Sequence, residues 1–150
     1  MAYCTQADIL DDIDEAQLIQ LTVADAENLS DEEIAARMAE VVAAKIADAD
    51  AVINSHVVKR YAIPLNPVPA IAKNLSKQIA AYLIYSRVAS KVGGAPETIV
   101  ENYDDAIKML EKIQEGKADL DADPPPTSST GTAKVTSAGR MFTKDSMTGF

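Results

Sequence analysis

The sequence predicts an all-α protein, a helical bundle of about four to five helices with one long helix, followed by an extended C-terminal arm. Apolar residues recur at steps of three or four in several segments, which is the period of a helix that buries one face. Proline and glycine separate these segments, and the apolar content is mostly Ala, Ile, Val and Leu, with no Trp. The pattern predicts an α-helical domain over residues 1–116, an extended acidic and Pro, Ser and Thr linker over 117–133, and a docking arm over 134–150.

Two short helices are predicted at the start of the chain. Thr5 is a predicted N-cap, and Asp8 follows it by three residues, the spacing of a capping box, in a helix over residues 5–13. A second short helix over residues 14–21 begins at another capping aspartate, Asp14.

The longest helix is predicted from about residue 31 to 61. The string SDEE supplies Ser30 as the cap, Glu33 as its capping-box partner, and carboxylates in the first turn, where the helix dipole favours negative charge. At 1.5 Å per residue this helix would be roughly 45 Å long, so we expect it to project from the domain or to pack between subunits. Its apolar stripe consists of Ile34, Met38, Val41 or Val42, Ile46, Ala49, Ile53 and Val57.

The string AIPLNPVP ends the long helix and predicts a stiff connector, because each proline lacks an N–H donor and restricts the residue before it. The next helix is predicted over residues 70–92, with Gly93 and Gly94 ending it. The last helix begins at Pro96 and runs to about residue 115, with Gly116 at its end. The predicted inward positions are Ile71, Leu75, Ile79, Leu83 and Val88 in the first of these helices, and Val100, Tyr103, Ile107, Leu110 and Ile113 in the second.

The charge is unevenly distributed along the chain. The total is −9, but the last 17 residues hold three basic side chains against one aspartate, a net charge of +2, so the rest carries −11. An acidic body argues against wrapping nucleic acid, which needs clustered Lys and Arg, although it suits a channel through which DNA slides. No leader pattern and no apolar run of about 18 residues is present, so secretion and membrane contact are not expected.

No residue pattern predicts an enzyme, a cofactor or a metal ion. Asp119, Asp121 and Asp123 have the spacing of the first half of a calcium loop. However, Pro124 stands where that loop needs a glycine, and Thr130 stands where it needs a glutamate.

Other reactive side chains are also expected to be structural. His56 is the only histidine, which favours a polar helix-face residue over a ligand. Cys4 cannot form an internal disulfide, fits a reducing cytoplasm, and is expected as a small packed or exposed residue rather than a nucleophile. The carboxylate clusters at residues 11–15 and at Asp48 and Asp50 are expected on solvated faces.

Two basic pairs could contact other molecules. Lys59 and Arg60 end the predicted long helix, where the helix dipole favours cations, and they are candidates for contact with a DNA channel or a neighbouring subunit. Lys73 and Lys77, four residues apart, could form a small basic ridge. For both pairs a structural role is favoured over a nucleic-acid site.

The last twelve residues, GRMFTKDSMTGF, hold both phenylalanines and two of the five methionines of the chain. Large apolar side chains in a segment that cannot form a core of its own predict that the segment docks on another chain. Burial of four side chains does not offset the cost of ordering the backbone, so the arm should also form backbone hydrogen bonds, as an added strand does. The predicted docking residues are Met141, Phe142, Met147, Phe150, Arg140 and Lys144.

Four segments are similar to the Mu-like phage head-tail connector proteins, also called neck adaptors or head completion proteins. They are YCTQADIL, RYAIPL, VPAIAKNLSKQIAAYLIYSR and YDDAIKMLEKIQEGKADL, in that order over about residues 3–121, and FTKDSMTGF resembles the closing segment of many members. The resemblance implies a small α-helical virion protein of the head-tail neck, made in the host bacterial cytoplasm. It implies a homo-oligomeric ring of twelve copies that binds the portal protein and a neighbouring neck or tail protein. Double-stranded DNA would pass through its centre without sequence-specific binding, and the family has no catalytic residues to transfer.

The alternative hypothesis is a free cytoplasmic helical module that binds one partner through the same C-terminal tail. It predicts a monomer or dimer in solution and no ring in any particle. Imaging of an intact particle would separate the two hypotheses.

Overall fold

The computed structural model describes residues 2–23, 26–88 and 94–123. Within these ranges the chain contains helices and no strand, which confirms the predicted all-α fold with one long helix. The helices are α1 (Gln6–Leu10), α2 (Glu15–Thr22), a 3-10 turn (Ala26–Asn28), α3 (Asp31–Val57), α4 (Ala70–Arg87) and α5 (Glu97–Gln114). None of these helices combines the length and the apolar character that a membrane span requires.

The first residues of α1, α2 and α3 are capped as predicted. Thr5 and Asp8 form a complete capping box on α1, and Ser30 and Glu33 form another on α3. The side chain of Asp14 accepts a hydrogen bond at 3.2 Å from a backbone N–H in the first turn of α2. These side chains satisfy N–H groups that have no partner inside their own helices.

Three helices end earlier than the sequence predicts. α1 ends at Leu10, α3 at Val57 and α4 at Arg87. After α3 the N–H groups of both Arg60 and Tyr61 donate to the carbonyl of Val57, at 2.9 and 3.0 Å. This turn takes the chain off the helix axis before the prolines are reached, so α3 is roughly 40 Å long.

The end of α5 is formed by the predicted glycine. Gly116 has a φ of +82°, a conformation that glycine adopts without steric cost. The N–H of Lys117 donates to the carbonyl of Lys112 at 2.8 Å, and the N–H of Gly116 donates to that of Ile113 at 3.1 Å. Both bonds together form a Schellman motif. The other predicted stop, Gly93, lies outside the described residues.

α3 is the central helix and packs against α2, α4 and α5. Its predicted stripe is confirmed, with Val42 rather than Val41 fully inside. Because the buried positions run from Met38 to Val57, most of this helix packs within its own chain and does not project, while its packing between subunits stays a prediction. The buried apolar residues of α3 are Met38, Val42, Ile46, Ala49, Ile53 and Val57.

The buried face of α4 agrees with the predicted one only in part. Leu75 and Ile79 are buried as predicted, but Ile71 is 38% exposed and Leu83 is only partly buried. The small side chains of Ala72, Ser76 and Ala80 are fully buried as well. The predicted positions included only large apolar residues, so these small buried side chains were missed.

α5 contacts α4 through an aromatic pair and reaches the core through aliphatic residues. The rings of Tyr82 and Tyr103 are stacked with centroids 4.0 Å apart and an angle of 19° between their planes. Leu110 and Ile113 are fully buried as predicted, and Ala106 joins them. Stacked aromatic pairs of this kind add to the area that they bury.

The segment after α5 packs against the domain, although the sequence predicts an extended linker from residue 117. Leu120 is fully buried in the core, and its N–H donates to the hydroxyl of Tyr61 at 3.1 Å. The hydroxyl of Tyr61 in turn donates to the carboxylate of Asp119. The packed chain therefore extends to Asp123, beyond the predicted boundary at residue 117. The sequence did not indicate this, because a single apolar residue among acidic ones has no periodic pattern.

Candidate functional site

A buried polar cluster joins the first residues of the chain to α3 and α4. The carboxyl group of Asp50 accepts the N–H of Tyr3 at 3.0 Å and the hydroxyl of Ser76 at 2.6 Å. Asp50 is only 7% exposed, so its predicted place on a solvated face is wrong. The signal was in the sequence, because Asp50 lies four residues after Ile46 and three before Ile53, in phase with the buried stripe.

Cys4 completes this cluster as a buried thiol. Its sulfur lies 3.3 Å from the hydroxyl oxygen of Ser76. Because that hydroxyl has one proton and donates it to Asp50, the thiol is the donor in the contact with Ser76. Burial raises the pKa of the Cys4 thiol, which keeps the proton on sulfur. A protonated thiol at 2% exposure is a packing element and has no access to a substrate.

The hydroxyl of Tyr3 fastens the proline-rich connector to α3. It donates to the side-chain oxygen of Asn54 and accepts the N–H of Leu65 at 3.0 Å. Leu65 is 1% exposed, so the connector supplies a core residue and does not only span a gap. Among the described residues, no buried side-chain nitrogen or oxygen lacks a hydrogen-bond partner.

The two basic residues predicted for DNA or neighbour contact have different surroundings. Arg60 is half-buried, and its guanidinium donates to the carbonyl of Ile113 in the last turn of α5 and to that of Ala118 just beyond it. Arg60 therefore supports the end of another helix and not, as predicted, the end of its own. Lys59 is exposed beside a cleft of about 550 Å³, which Glu111 and Glu115 also line.

The predicted basic ridge on α4 is paired with acidic residues at the start of the chain. Lys73 lies 2.8 Å from the carboxylate of Asp8, and Lys77 lies 3.1 Å from that of Asp12. The hydrogen bonds from Lys73 and then from Thr5 lower the pKa of Asp8 to about 2. These pairs hold α1 against α4 and leave little free positive charge on the ridge.

We expect Asp8→Asn to reduce the free energy of unfolding by about 1 kcal/mol at pH 7, because it weakens both a helix cap and an ion pair. A carboxylate with a lowered pKa stabilises the fold above its ordinary pKa near 3.9, and this contribution is lost as the pH falls toward 2. The difference between the two proteins in urea unfolding should therefore shrink between pH 5 and pH 2. Asp11→Asn, at an exposed neighbour, is the control, and a difference independent of pH would contradict the assignment.

A groove of about 200 Å³ lies between α2 and the beginning of α3. Its apolar side chains are Ile19 and Ile34, both partly buried, and Met38, which is 5% exposed. Glu15 and Asp31 contribute carboxylates to the same groove. The sequence pattern gives no sign of this groove, because residues from two helices form it and only the packing brings them together.

Most Lys and Arg side chains in the described ranges already form ion pairs or hydrogen bonds within the domain. These ranges contain ten Lys and Arg residues, and seven of them bond to a carboxylate or a backbone carbonyl. In these ranges Arg37, Lys59 and Lys112 have no such bond. No group of three or more His, Cys, Asp or Glu side chains in the described ranges is placed to hold a metal ion.

The predicted docking arm lies outside the described residues. This applies to all six of its candidate residues, Arg140, Met141, Phe142, Lys144, Met147 and Phe150. The described chain ends at Asp123, whose carbonyl accepts the N–H of Ala62 at 3.3 Å. The point from which the arm departs is therefore fixed beside the turn that follows α3.

Comparison with known proteins gives a family match and a relative. The sequence model of the family described as Bacteriophage Mu, Gp36 matches residues 3–137. The chain is also similar to the Mu-like prophage FluMu protein gp36 of Haemophilus influenzae. The two are 31% identical over 106 residues, which cover 69% of this chain and 70% of the relative.

Proposed function

This chain belongs to the bacteriophage Mu Gp36 family, and from that premise we propose that it is a structural virion protein, the head-tail connector. In this role twelve copies form a ring on the portal protein, stabilise the DNA-filled head and offer an attachment surface to the next neck or tail protein. The observation that carries the proposal is the family match over residues 3–137, which spans the whole described domain and reaches the first residues of the arm.

The charge of the domain supports a channel for the genome. Phosphate binding requires clusters of Lys and Arg, and seven of the ten such residues in the described ranges are already bonded within the fold. Carboxylates are exposed along α3, including Asp31, Glu40 and Asp48. A surface of this composition lets double-stranded DNA pass without binding it. The role requires no catalytic residue and no cofactor.

The place where the described chain ends, together with the composition of the arm, supports docking of the arm on the portal or an adjacent ring protein. Hydrogen bonds with Tyr61 and Ala62 fix the chain to the domain as far as Asp123. Residues 124–133 can then span at most about 35 Å before the arm begins. The arm combines a net charge of +2 with four large apolar side chains. Such a segment can bind an acidic, partly apolar surface of another protein at a short distance from the domain.

Deletion of residues 134–150 tests this proposal. The helical circular dichroism signal should be unchanged, because every described helix lies before residue 115. Capture of the chain by the portal protein, and its presence in particles, should be lost. Ser146→Ala in the full chain is the control and should bind normally. Particles that assemble normally with the truncated chain would contradict the proposal, and a neck without any ring of this chain would favour the free interaction module.

A further inference from the structure

We infer that the groove between α2 and α3 is the binding site for the C-terminal arm of a second copy of this chain. The inference rests on the proposed ring, and it names the surface that joins one copy to the next. The segment proposed to enter the groove is the string RMFTK at residues 140–144, with Met141 and Phe142 as its apolar anchors, which leaves Met147 and Phe150 for the portal. A groove between two helices offers no strand edge, so this contact orders only a short part of the arm and differs from the added strand expected for the arm as a whole.

The size and lining of the groove suit two side-chain anchors. Its volume of about 200 Å³ is below the roughly 300 to 1,000 Å³ of sites that enclose a small molecule. The partly buried Ile19 and Ile34 and the thioether of Met38 provide its apolar surface. A methionine sulfur is a favourable neighbour for an aromatic ring, so Phe142 fits beside Met38.

The charges of the groove and of the arm are opposite in sign. Glu15 and Asp31 line the groove together with its apolar side chains. In the arm, Arg140 directly precedes the apolar pair, and Lys144 follows it after one threonine. The groove thus combines apolar side chains with two negative charges, and the arm combines them with two positive charges, and this complementarity favours one partner over others.

The length of the connecting chain permits the contact. Met141 is the eighteenth residue after Asp123, and a fully extended chain over that interval spans about 60 Å. This exceeds the roughly 40 Å length of α3, so the arm is long enough to reach past the longest helix of its own domain.

The type of contact explains why the partner is a second copy in a ring. An arm on one copy that binds a groove on the next joins two different surfaces. Contacts of this head-to-tail kind repeat from copy to copy. They close into a ring when the rotation that relates one copy to the next divides evenly into a full turn. Occupation of its own groove by each arm would leave copies unconnected.

A cross-linking experiment with two full-length chains tests the inference. One chain carries Ala35→Cys in the groove, and the other carries Thr143→Cys in the arm. Mixed at high concentration and oxidised, they can form a disulfide only between chains, and Cys4 is too buried to compete. We expect the linked dimer to form at least tenfold faster than in the control, which replaces Ala35→Cys by Ala47→Cys. That exposed position lies on the same helix, about 18 Å from the groove.

Charge reversal makes the test specific. Glu15→Lys with Asp31→Lys on the first chain should slow cross-linking by on the order of tenfold, since each exposed pair contributes a factor of about 1.4 to 5. Arg140→Glu with Lys144→Glu on the second chain should slow it similarly. Combining both reversed chains should restore the rate.

Three outcomes would overturn the inference. The first is an equal cross-linking rate for the groove position and the control position. The second is a rate that does not recover when both charge-reversed chains are combined. The third is seen with one chain that carries both cysteines, if it forms the disulfide within itself and not with other chains. Portal capture of the same variants separates this result from the proposed function. If capture persists while cross-linking fails, the connector role stands and the arm binds another surface.

Discussion

Replacement of Asp50 by alanine should lower the free energy of unfolding by about 2 to 5 kcal/mol. The carboxyl group accepts two hydrogen bonds inside the domain, from the N–H of Tyr3 and from the hydroxyl of Ser76. Removing it leaves the N–H of Tyr3 without a partner and leaves the hydroxyl of Ser76 only the weakly accepting sulfur of Cys4. A buried donor that loses its partner costs about 1 to 3 kcal/mol. Urea unfolding followed by far-ultraviolet circular dichroism measures the change.

Two variants serve as controls for Asp50→Ala. Asp48→Ala removes an exposed carboxylate that lies 2.7 Å from Lys45 on the same helix, and it should cost less than about 1 kcal/mol. Asp50→Asn keeps one acceptor oxygen and should be intermediate. Equal stabilities for Asp48→Ala and Asp50→Ala would show that the buried cluster contributes nothing to folding.

Leu120→Ala should destabilise the domain by about 2 to 5 kcal/mol, the usual cost of truncating a buried leucine. The effect should be large even though Leu120 follows the last helix, because the residue is fully buried in the same core as α3. Urea unfolding again measures it. Lys117→Ala, at an exposed position three residues earlier, should stay within about 0.5 kcal/mol.

Tyr61→Phe separates the packing of this segment from its hydrogen bonding. Burial and then the bond to Asp119 raise the pKa of Tyr61, so its hydroxyl remains a donor at neutral pH. Its loss leaves the N–H of Leu120 without its partner and should cost about 1 to 3 kcal/mol. If Leu120→Ala and Tyr61→Phe both leave stability unchanged, the segment after α5 is not part of the folding unit.

Local signals made the fold predictable. The capping boxes at Thr5 and Ser30 and the glycine at residue 116 act within one helix turn, so a short window of sequence contains the whole interaction. The apolar stripe of α3 was also predictable, because its period is repeated over many residues. The order of the helices followed from these two kinds of signal.

Contacts between distant parts of the chain were not predictable in the same way. Asp50 appeared to be a solvated carboxylate because its partners Tyr3 and Ser76 are 47 and 26 residues away. Leu120 appeared to belong to a linker because one apolar residue has no period. The groove between α2 and α3 required the packing of both helices. The arm was predicted from its composition, and its docking residues stay a prediction.

If the protein is attached through its arm, as proposed, the hydroxyl of Tyr61 has a mechanical consequence. A pull on residues after Asp123 acts first on the bond between Asp123 and Ala62, and then on the bond between Leu120 and Tyr61. Both of these partners lie at or directly after the turn that closes α3, the longest helix of the domain. Tension at Asp123 would therefore be transmitted directly to the central helix, and the core would have to resist it as one unit.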